Sequence, residues 1–230
     1  MNIFDVIGPV MVGPSSSHTA GAVKIGRTAL RLLKEPVKHA DIYLYGSFAS
    51  TGKGHGTDKA LVAGLLGLTV DDSRIPDSFR LARERGLSFQ FYADTEAYHV
   101  HPNSAKMSLT GINGKKLTML ASSPGASRIL VNEINGVQTS FSGESPTIIV
   151  RNEDHPGCIA KVTGILRDHS VNIARMSLTR ENRGGYAAMI LETDQEVSED
   201  LINEIRHTEG VQNAVYLGKD KGDTIDVSVS

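Results

Sequence analysis

The chain has 230 residues, 40% of them hydrophobic, with a formal net charge of −2. It is too apolar for a disordered chain and long enough for one large domain or two small ones. No basic stripe is present to neutralise phosphates, which excludes nucleic acid and anionic membrane surfaces as partners, and no apolar run reaches the ~20 residues of a membrane-spanning helix.

The single cysteine, Cys158, can form no internal disulfide and cannot hold a metal cluster by itself. The N-terminal stretch MNIFDVIGPVMVGP is apolar but lacks a basic n-region, so it does not read as a signal peptide. Cytoplasm is the expected compartment.

In chain order, Ser15 to Ser17 precede a helical pattern with Ala22, Ile25, Ala29 and Leu32 on one side, and a serine is placed to cap it. Asp41 to Phe48 alternates like a strand, with Ile42 and Leu44 on one face and Tyr43 and Tyr45 on the other. A glycine-rich loop, Gly52 to Gly56, follows. Thr57 or Asp58 then caps a helix from Lys59 to about Leu66, and Pro76 to Arg85 forms another, ended by Gly86. Strand-like runs come next: Leu87 to Tyr92, Ala105 to Thr110, Lys116 to Ala121, Arg128 to Ile134 and Val137 to Phe141. Asn113-Gly114 and Asn135-Gly136 read as hairpin turns, because both turn positions favour positive φ.

Breakers between Gly143 and Pro146 mark a domain boundary. Beyond it Thr147 to Arg151 reads as a strand. Asp154 and Pro156 open a helix whose apolar face carries Ile159, Val162, Ile165 and Leu166. Val171 to Arg180 and Tyr186 to Thr193 are strands joined by Arg183-Gly184-Gly185. Ser198 caps a helix stopped by Gly210, and Val211 to Leu217 closes the series. The order βαββαβ is the ferredoxin-like unit. The run from Asn152 to Ile173, NEDHPGCIAKVTGILRDHSVNI, resembles the entry of an ACT domain.

Three short segments concentrate chemistry. In Gly13-Pro14-Ser15-Ser16-Ser17-His18-Thr19, hydroxyl residues at a helix start leave N–H groups free for a carboxylate or phosphate; simple N-capping is the plainer reading. A Ser–His hydrolase is disfavoured, since adjacent serine and histidine set no base-to-nucleophile geometry and no GxSxG elbow occurs. In Lys53-Gly54-His55-Gly56-Thr57-Asp58 a histidine lies between glycines, on backbone able to approach a ligand; a tight turn with a solvated histidine is the alternative. The spacing is not that of a P-loop. His99, His101, Pro102 and Asn103 form the third cluster, where H-x-H on a strand face suggests a metal pair but lacks a third ligand.

Taken in this order, GPSSSHT (Gly13 to Thr19), YGSFA (Tyr45 to Ala49) with KGHGTD (Lys53 to Asp58), VHPN (Val100 to Asn103) and an ACT-like region resemble the β chain of the iron–sulfur L-serine dehydratases over nearly the whole length. The fold that follows is α+β. Residues 1–143 form a mixed α/β domain of the allosteric substrate-binding type, also found in some D-3-phosphoglycerate dehydrogenases. Residues 146–220 form a ferredoxin-like ACT domain and 221–230 a C-terminal tail. The resemblance implies conversion of L-serine to pyruvate and ammonia with a four-iron cluster (4Fe-4S) held by a separate α chain, and no metal ligand in this chain.

It further implies His55 as the base, with His18 and His101 as further catalytic candidates. Ser15, Ser16, Ser17 and Thr19 would hold the substrate carboxylate, while Thr57, Asp58 and Asn103 would orient histidines or bind the amino group. Self-association through the ACT domain is expected, with an effector near Gly157 and Asn172. The alternative is a purely regulatory, serine-sensing subunit without catalytic residues; a free-standing metal-dependent hydrolase is a third reading. One departure stands out: where the family usually has three glycines in a row, this chain reads Ser123-Pro124-Gly125-Ala126-Ser127.

Overall fold

The computed structural model describes residues 10–94, 99–180 and 182–225. The apolar N-terminal stretch up to Pro9 and the end of the C-terminal tail lie outside these residues. The chain divides into two compact units, residues 1–135 together with 222–230, and residues 136–221. The division falls at Asn135/Gly136, whereas sequence breakers point to Gly143–Pro146. The tail also belongs to the first unit.

In the first unit a π-helical turn, Ser16–Gly21, leads into α1 (Ala22–Leu33). There follow β1 (Val37–Tyr45), α2 (Gly46–His55), α3 (Thr57–Leu65), a 3₁₀ turn (Ile75–Asp77) and α4 (Ser78–Glu84). Strands β2 (Ser88–Asp94), β3 (Ser104–Gly111), β4 (Lys116–Gly125) and β5 (Arg128–Ile134) complete the first unit, and β6 (Val137–Phe141) opens the second. The strand order in the first unit is β2-β1-β3-β4-β5; β1 and β2 run parallel and β1–β3, β3–β4 and β4–β5 antiparallel. Alternation explains the core. Ala40, Ile42 and Leu44, Ala105, Met107 and Leu109, and Leu117, Met119 and Ala121 are all buried, at every second position of three neighbouring strands.

Helices α1 and α3 cross where both carry glycine. A Cβ on Gly26 would lie 2.3 Å from the Leu61 carbonyl oxygen, and one on Gly64 would lie 2.2 Å from that of Val23. The backbones therefore touch, and α3, buried on nearly every side from Ala60 to Leu66, needs no polar face. Arg27 on α1 is buried and donates to the carbonyls of Gly67 (2.7 Å), Leu68 (3.1 Å) and Asp223 (2.9 Å), while the Ile225 N–H donates to Gly67. These bonds explain why the segment expected to be a free tail is part of the first unit.

The main correction concerns Gly52 to Gly56. The composition says loop, yet residues 46–55 are helical. Tertiary anchors outweigh propensity here. Phe48 is fully buried and its N–H donates to the Pro102 carbonyl at 3.2 Å. Gly56, at φ 69°, closes the helix with bonds to the Gly52 and Lys53 carbonyls. Gly52 itself packs on Thr57, whose Cβ is 3.2 Å from where a side chain would start. Strand β1 accordingly ends at Tyr45, short of Phe48.

Of the two hairpin signals, Asn135 (φ 51°) and Gly136 (φ 82°) both take the left-handed conformation, whereas in Asn113-Gly114 only the glycine does. The β4–β5 turn is costlier: Gly125 (φ 118°) is followed by Ala126 (φ 50°) and Ser127 (φ 57°). A left-handed non-glycine residue costs roughly 1–2 kcal/mol, partly offset by the chain entropy that glycine loses on folding. Ala126→Gly is therefore expected to stabilise the protein by about 0.5–1 kcal/mol, read as a higher urea midpoint. An unchanged or lower midpoint would show that this turn stores no strain.

The second unit is the ferredoxin-like one. Strands β7 (Thr147–Glu153), β8 (Ile173–Arg180), β9 (Tyr186–Thr193) and β10 (Val211–Leu217) pair in the order β10-β7-β9-β8, with helices α5 (Cys158–Asp168) and α6 (Glu199–Arg206). Ile148, Val150, Met189 and Leu191 pack with Val162, Leu166, Leu201, Ile202 and Ile205. Ser198 caps α6 by accepting from the Leu201 N–H at 3.2 Å. Helix α5 starts at Cys158, after Gly157 at φ 95°. The late start puts the buried stripe on Cys158, Val162 and Leu166. Ile159, expected on that stripe, is exposed.

Candidate active site

The serine segment folds as a turn because both its ends are held. Gly13, at φ 118°, lies so close to Thr19 that a Cβ would come within 2.5 Å of the threonine methyl. Ser15 caps the turn: its hydroxyl accepts from the His18 N–H at 3.1 Å, and its carbonyl accepts from Thr19 and Ala20. Among the described residues no acceptor faces the N–H groups of Ser16 and Ser17. With the Ser16 hydroxyl, these are three donors at the positive end of a helix, suited to a carboxylate; the Ser17 hydroxyl is taken up by His18 Nδ1.

Helix α2 stands against this turn. The rings of His18 and His55 are 4.9 Å apart, and the Phe48 ring meets His18 edge-on at 5.2 Å. His18 is bonded at both nitrogens: Nδ1 to the Ser17 hydroxyl (3.3 Å), Nε2 to the hydroxyls of Ser47 (3.1 Å) and Thr51 (3.2 Å). Burial holds its pKa below the ordinary value of 6.5, and the neighbouring His55 adds to the effect; a bond at Ser47 opposes it. His55 differs. Its Nδ1 lies 3.1 Å from the Thr51 carbonyl oxygen, which can only accept, so Nδ1 carries the proton. The lone pair is then on Nε2, which has no partner among the described residues. Thr19 donates to the His55 carbonyl at 3.1 Å and is itself buried, so it ties the turn to α2 rather than offering a hydroxyl to a ligand.

The lowered pKa of His18 has a stability consequence with a definite sign. Below pH ~6.5 the unfolded chain binds a proton at this histidine while the folded chain resists it, so stability falls as the pH drops through that range toward the folded value. His18→Gln is expected to shrink the difference between urea midpoints at pH ~7.5 and ~5.5. An undiminished difference would assign it to other groups.

Residues 99–103 form a loop ahead of β3, not the strand that an H-x-H metal pair requires. The Asn103 N–H donates to Nδ1 of His101 at 3.1 Å, which puts the proton of a neutral His101 on Nε2. The loop is carried to α2 by the Pro102–Phe48 bond, and Asn103 Nδ2 donates to the Ser123 carbonyl at 3.3 Å. Hydrogen bonds and ring contacts thus link the serine turn, α2 and the His101 loop into one cluster. Thr57 and Asp58 stand apart from it. Thr57 is fully buried beneath Gly52, and the Asp58 carboxylate accepts from the Lys59 N–H at 2.8 Å in the first turn of α3. The sequence reading missed Ser47 and Thr51. Their signal was the spacing of four on one helix face toward His55, legible only once residues 46–55 are seen to be helical.

In the second unit, Gly157 precedes and Asn172 follows the eleven-residue α5, a helix ~16 Å long. Asn172 Nδ2 donates to Asp194 at 2.6 Å. Cys158 is buried, and that burial raises its thiol pKa. Among the described residues no three His, Cys, Asp or Glu side chains are grouped to hold a metal ion.

A turn with open N–H groups stands beside a histidine whose Nε2 has no partner among the described residues, an arrangement chemically able to receive a small anion and to move a proton. Residues 2–86 match the serine dehydratase β chain family and residues 146–209 the ACT domain family. The chain is 40% identical over 204 residues to the probable L-serine dehydratase β chain of Bacillus subtilis (strain 168), covering 89% of this chain and 92% of that one. It is 37% identical over 214 residues to the L-serine dehydratase β chain of Peptoniphilus asaccharolyticus, covering 93% and 96%. L-serine dehydratase 1 of Escherichia coli (strain K12) is 40% identical over 93 residues, 37% of this chain but 20% of that longer one. The chain belongs to the family of L-serine dehydratase β chains.

Proposed function

We propose that this chain is the β subunit of a two-chain L-serine dehydratase and contributes the proton-transfer and carboxylate-binding residues for conversion of L-serine to pyruvate and ammonia. The observation that carries the reading is the unpartnered Nε2 of His55 beside the open donors of Ser16 and Ser17. The Ser16 and Ser17 N–H groups and the Ser16 hydroxyl hold the substrate carboxylate, and Ser15 keeps their turn in place. His55 Nε2 takes the proton from Cα. The electron pair of that C–H bond forms the Cα–Cβ double bond as the Cβ–O bond breaks and the hydroxyl leaves with a proton as water. His101, with its proton on Nε2, hydrogen-bonds that hydroxyl, and the α chain's cluster, when bound, would supply the Lewis acidity that makes it a leaving group. The aminoacrylate product tautomerises to an imine and water releases ammonia. His18, held by three hydroxyls, keeps the base in register.

Relatives of this kind are iron–sulfur enzymes by resemblance. A four-iron cluster needs three or four thiolates. This chain has one cysteine, buried in the second unit, so its residues do not fit such a cluster, which belongs in this reading to an α chain. Among the described residues no helix is long and apolar enough to cross a membrane, and a cytoplasmic enzyme is part of the same reading. Anaerobic co-expression with the α chain and a serine-to-pyruvate assay tests it; no pyruvate from a folded, cluster-loaded pair would overturn it.

The ACT unit is assigned to self-association. Edge strand β8 exposes Met176 and Leu178, and an unpaired apolar edge favours pairing with a second copy. An amino-acid effector would then lie between copies, near Gly157 of one and Asn172 of the other. Sedimentation of the whole chain is expected to give a dimer, and Leu178→Glu to shift it toward monomer. A wild-type monomer at high concentration would count against this pairing.

A further inference from the structure

Gly21, the last residue of the serine turn, has φ −60° and ψ −42°, an ordinary helical conformation open to any residue. Its backbone does not require glycine, but its neighbour does. A Cβ at position 21 would lie 2.1 Å from the Ser123 hydroxyl oxygen and 2.7 Å from the Ser123 Cβ, with the Ser16 carbonyl oxygen next at 3.5 Å. Ser123 is fully buried and its hydroxyl has no hydrogen-bond partner, so the side chain meets the turn by packing alone. A buried hydroxyl without a partner is costly to keep.

The backbone of Ser123 is fixed from the other side. Its N–H donates to the Asn103 carbonyl at 2.8 Å, and its carbonyl accepts from Asn103 Nδ2 at 3.3 Å. Asn103 in turn donates its N–H to His101. One residue of β4 therefore bears on the serine turn with its side chain and holds the His101 loop with its backbone.

We propose that Ser123 is a positioning residue: it sets the spacing between the carboxylate donors of the serine turn and the histidines, and residue 21 is glycine to receive it. The inference rests on the reading above that Ser16 and Ser17 hold the substrate carboxylate. A side chain at position 21 pushes the turn off Ser123 and moves those donors. The backbone of the His101 loop, held by its own bonds, stays in place.

The test is a double-mutant cycle of Gly21→Ala and Ser123→Gly in the enzyme reconstituted with its α chain, with KM, kcat and thermal midpoint measured for each. Gly21→Ala is expected to raise KM for L-serine ~10-fold or more with a smaller change in kcat, because it displaces a binding element rather than the reacting group. Ser123→Gly alone should raise KM more modestly, ~3–5-fold, because the turn loses its support from β4 but keeps its own bonds. The double variant should return to within ~3-fold of Ser123→Gly, a non-additivity that only a direct contact produces. Should Gly21→Ala fail to fold, recovery of folding in the double variant reads the same contact. Ser123→Val, which presses on the turn from the opposite side, then supplies the kinetic readout, with KM raised ~10-fold and kcat within ~3-fold of wild type. Wild-type KM in Gly21→Ala, a defect that Ser123→Gly does not relieve, or wild-type KM in Ser123→Val would overturn the proposal. If the wild-type pair itself turns over no serine, the functional reading fails. The thermal midpoints of the cycle still report whether Gly21 and Ser123 are coupled.

Discussion

Replacing His55 by alanine is expected to lower kcat of the reconstituted enzyme by ~10²–10⁴-fold while changing KM far less, the usual signature of losing a general base. The argument comes from which nitrogen holds the proton. A histidine serves as a base only if an unprotonated nitrogen faces the substrate. At His55 the Thr51 carbonyl assigns the proton to Nδ1 and leaves Nε2 open. At His18 both nitrogens are bonded to hydroxyls, and taking a proton would place a charge beside His55 in a partly buried position. At His101 the neutral ring presents a donor, not a lone pair. The three rings thus have different capacities, although the sequence presents all of them as histidines in small-residue loops. Ser16→Ala, which removes a carboxylate donor, should act mainly on KM. Turnover like wild type in His55→Ala would move the base to His18, His101 or the α chain. If His18→Ala and His101→Ala were equally silent, the subunit would be regulatory.

The parts of this site legible in the sequence are those whose chemistry is local. Ser15 caps the residue three positions on. The ferredoxin-like order of the second unit is legible for the same reason, since strand alternation and capping act over a few residues. What escaped detection depends on contacts between distant segments. Gly52 to Gly56 reads as a loop because three glycines weaken a helix; the helix over residues 46–55 exists because Phe48 is buried and the Pro102 carbonyl accepts its N–H from another loop. Ser47 and Thr51 gave no local sign, because only α2 brings them to His18, 29 and 33 positions away. The tail looked free because Arg27, 196 residues earlier, gives no local sign that it binds the Asp223 carbonyl.

The isolated chain is expected to bind no stoichiometric iron and to form no pyruvate from L-serine. Cluster assembly needs three or four thiolates, and Cys158 is the only cysteine in the chain. It is also a poor ligand where it stands: burial raises its pKa, so the thiolate form that binds iron is disfavoured. The histidines retain their proton-transfer capacity in isolation, but a base alone does little to serine, because hydroxide is a poor leaving group and the Cα proton is weakly acidic. Base and leaving-group activation must act on adjacent atoms of one small molecule, which requires both to be held within a few ångströms. The partner must therefore meet the surface formed by the serine turn, the end of α2 and the His101 loop. That surface is available: Lys53, Gly54, His101 and Pro102 are exposed, and His18 and His55 are half-exposed. Purification without air, followed by iron analysis and a pyruvate assay with and without the α chain, decides the matter. Iron at one cluster per chain, or serine turnover by this chain alone, would overturn the division of labour between two subunits and with it the role given to His55.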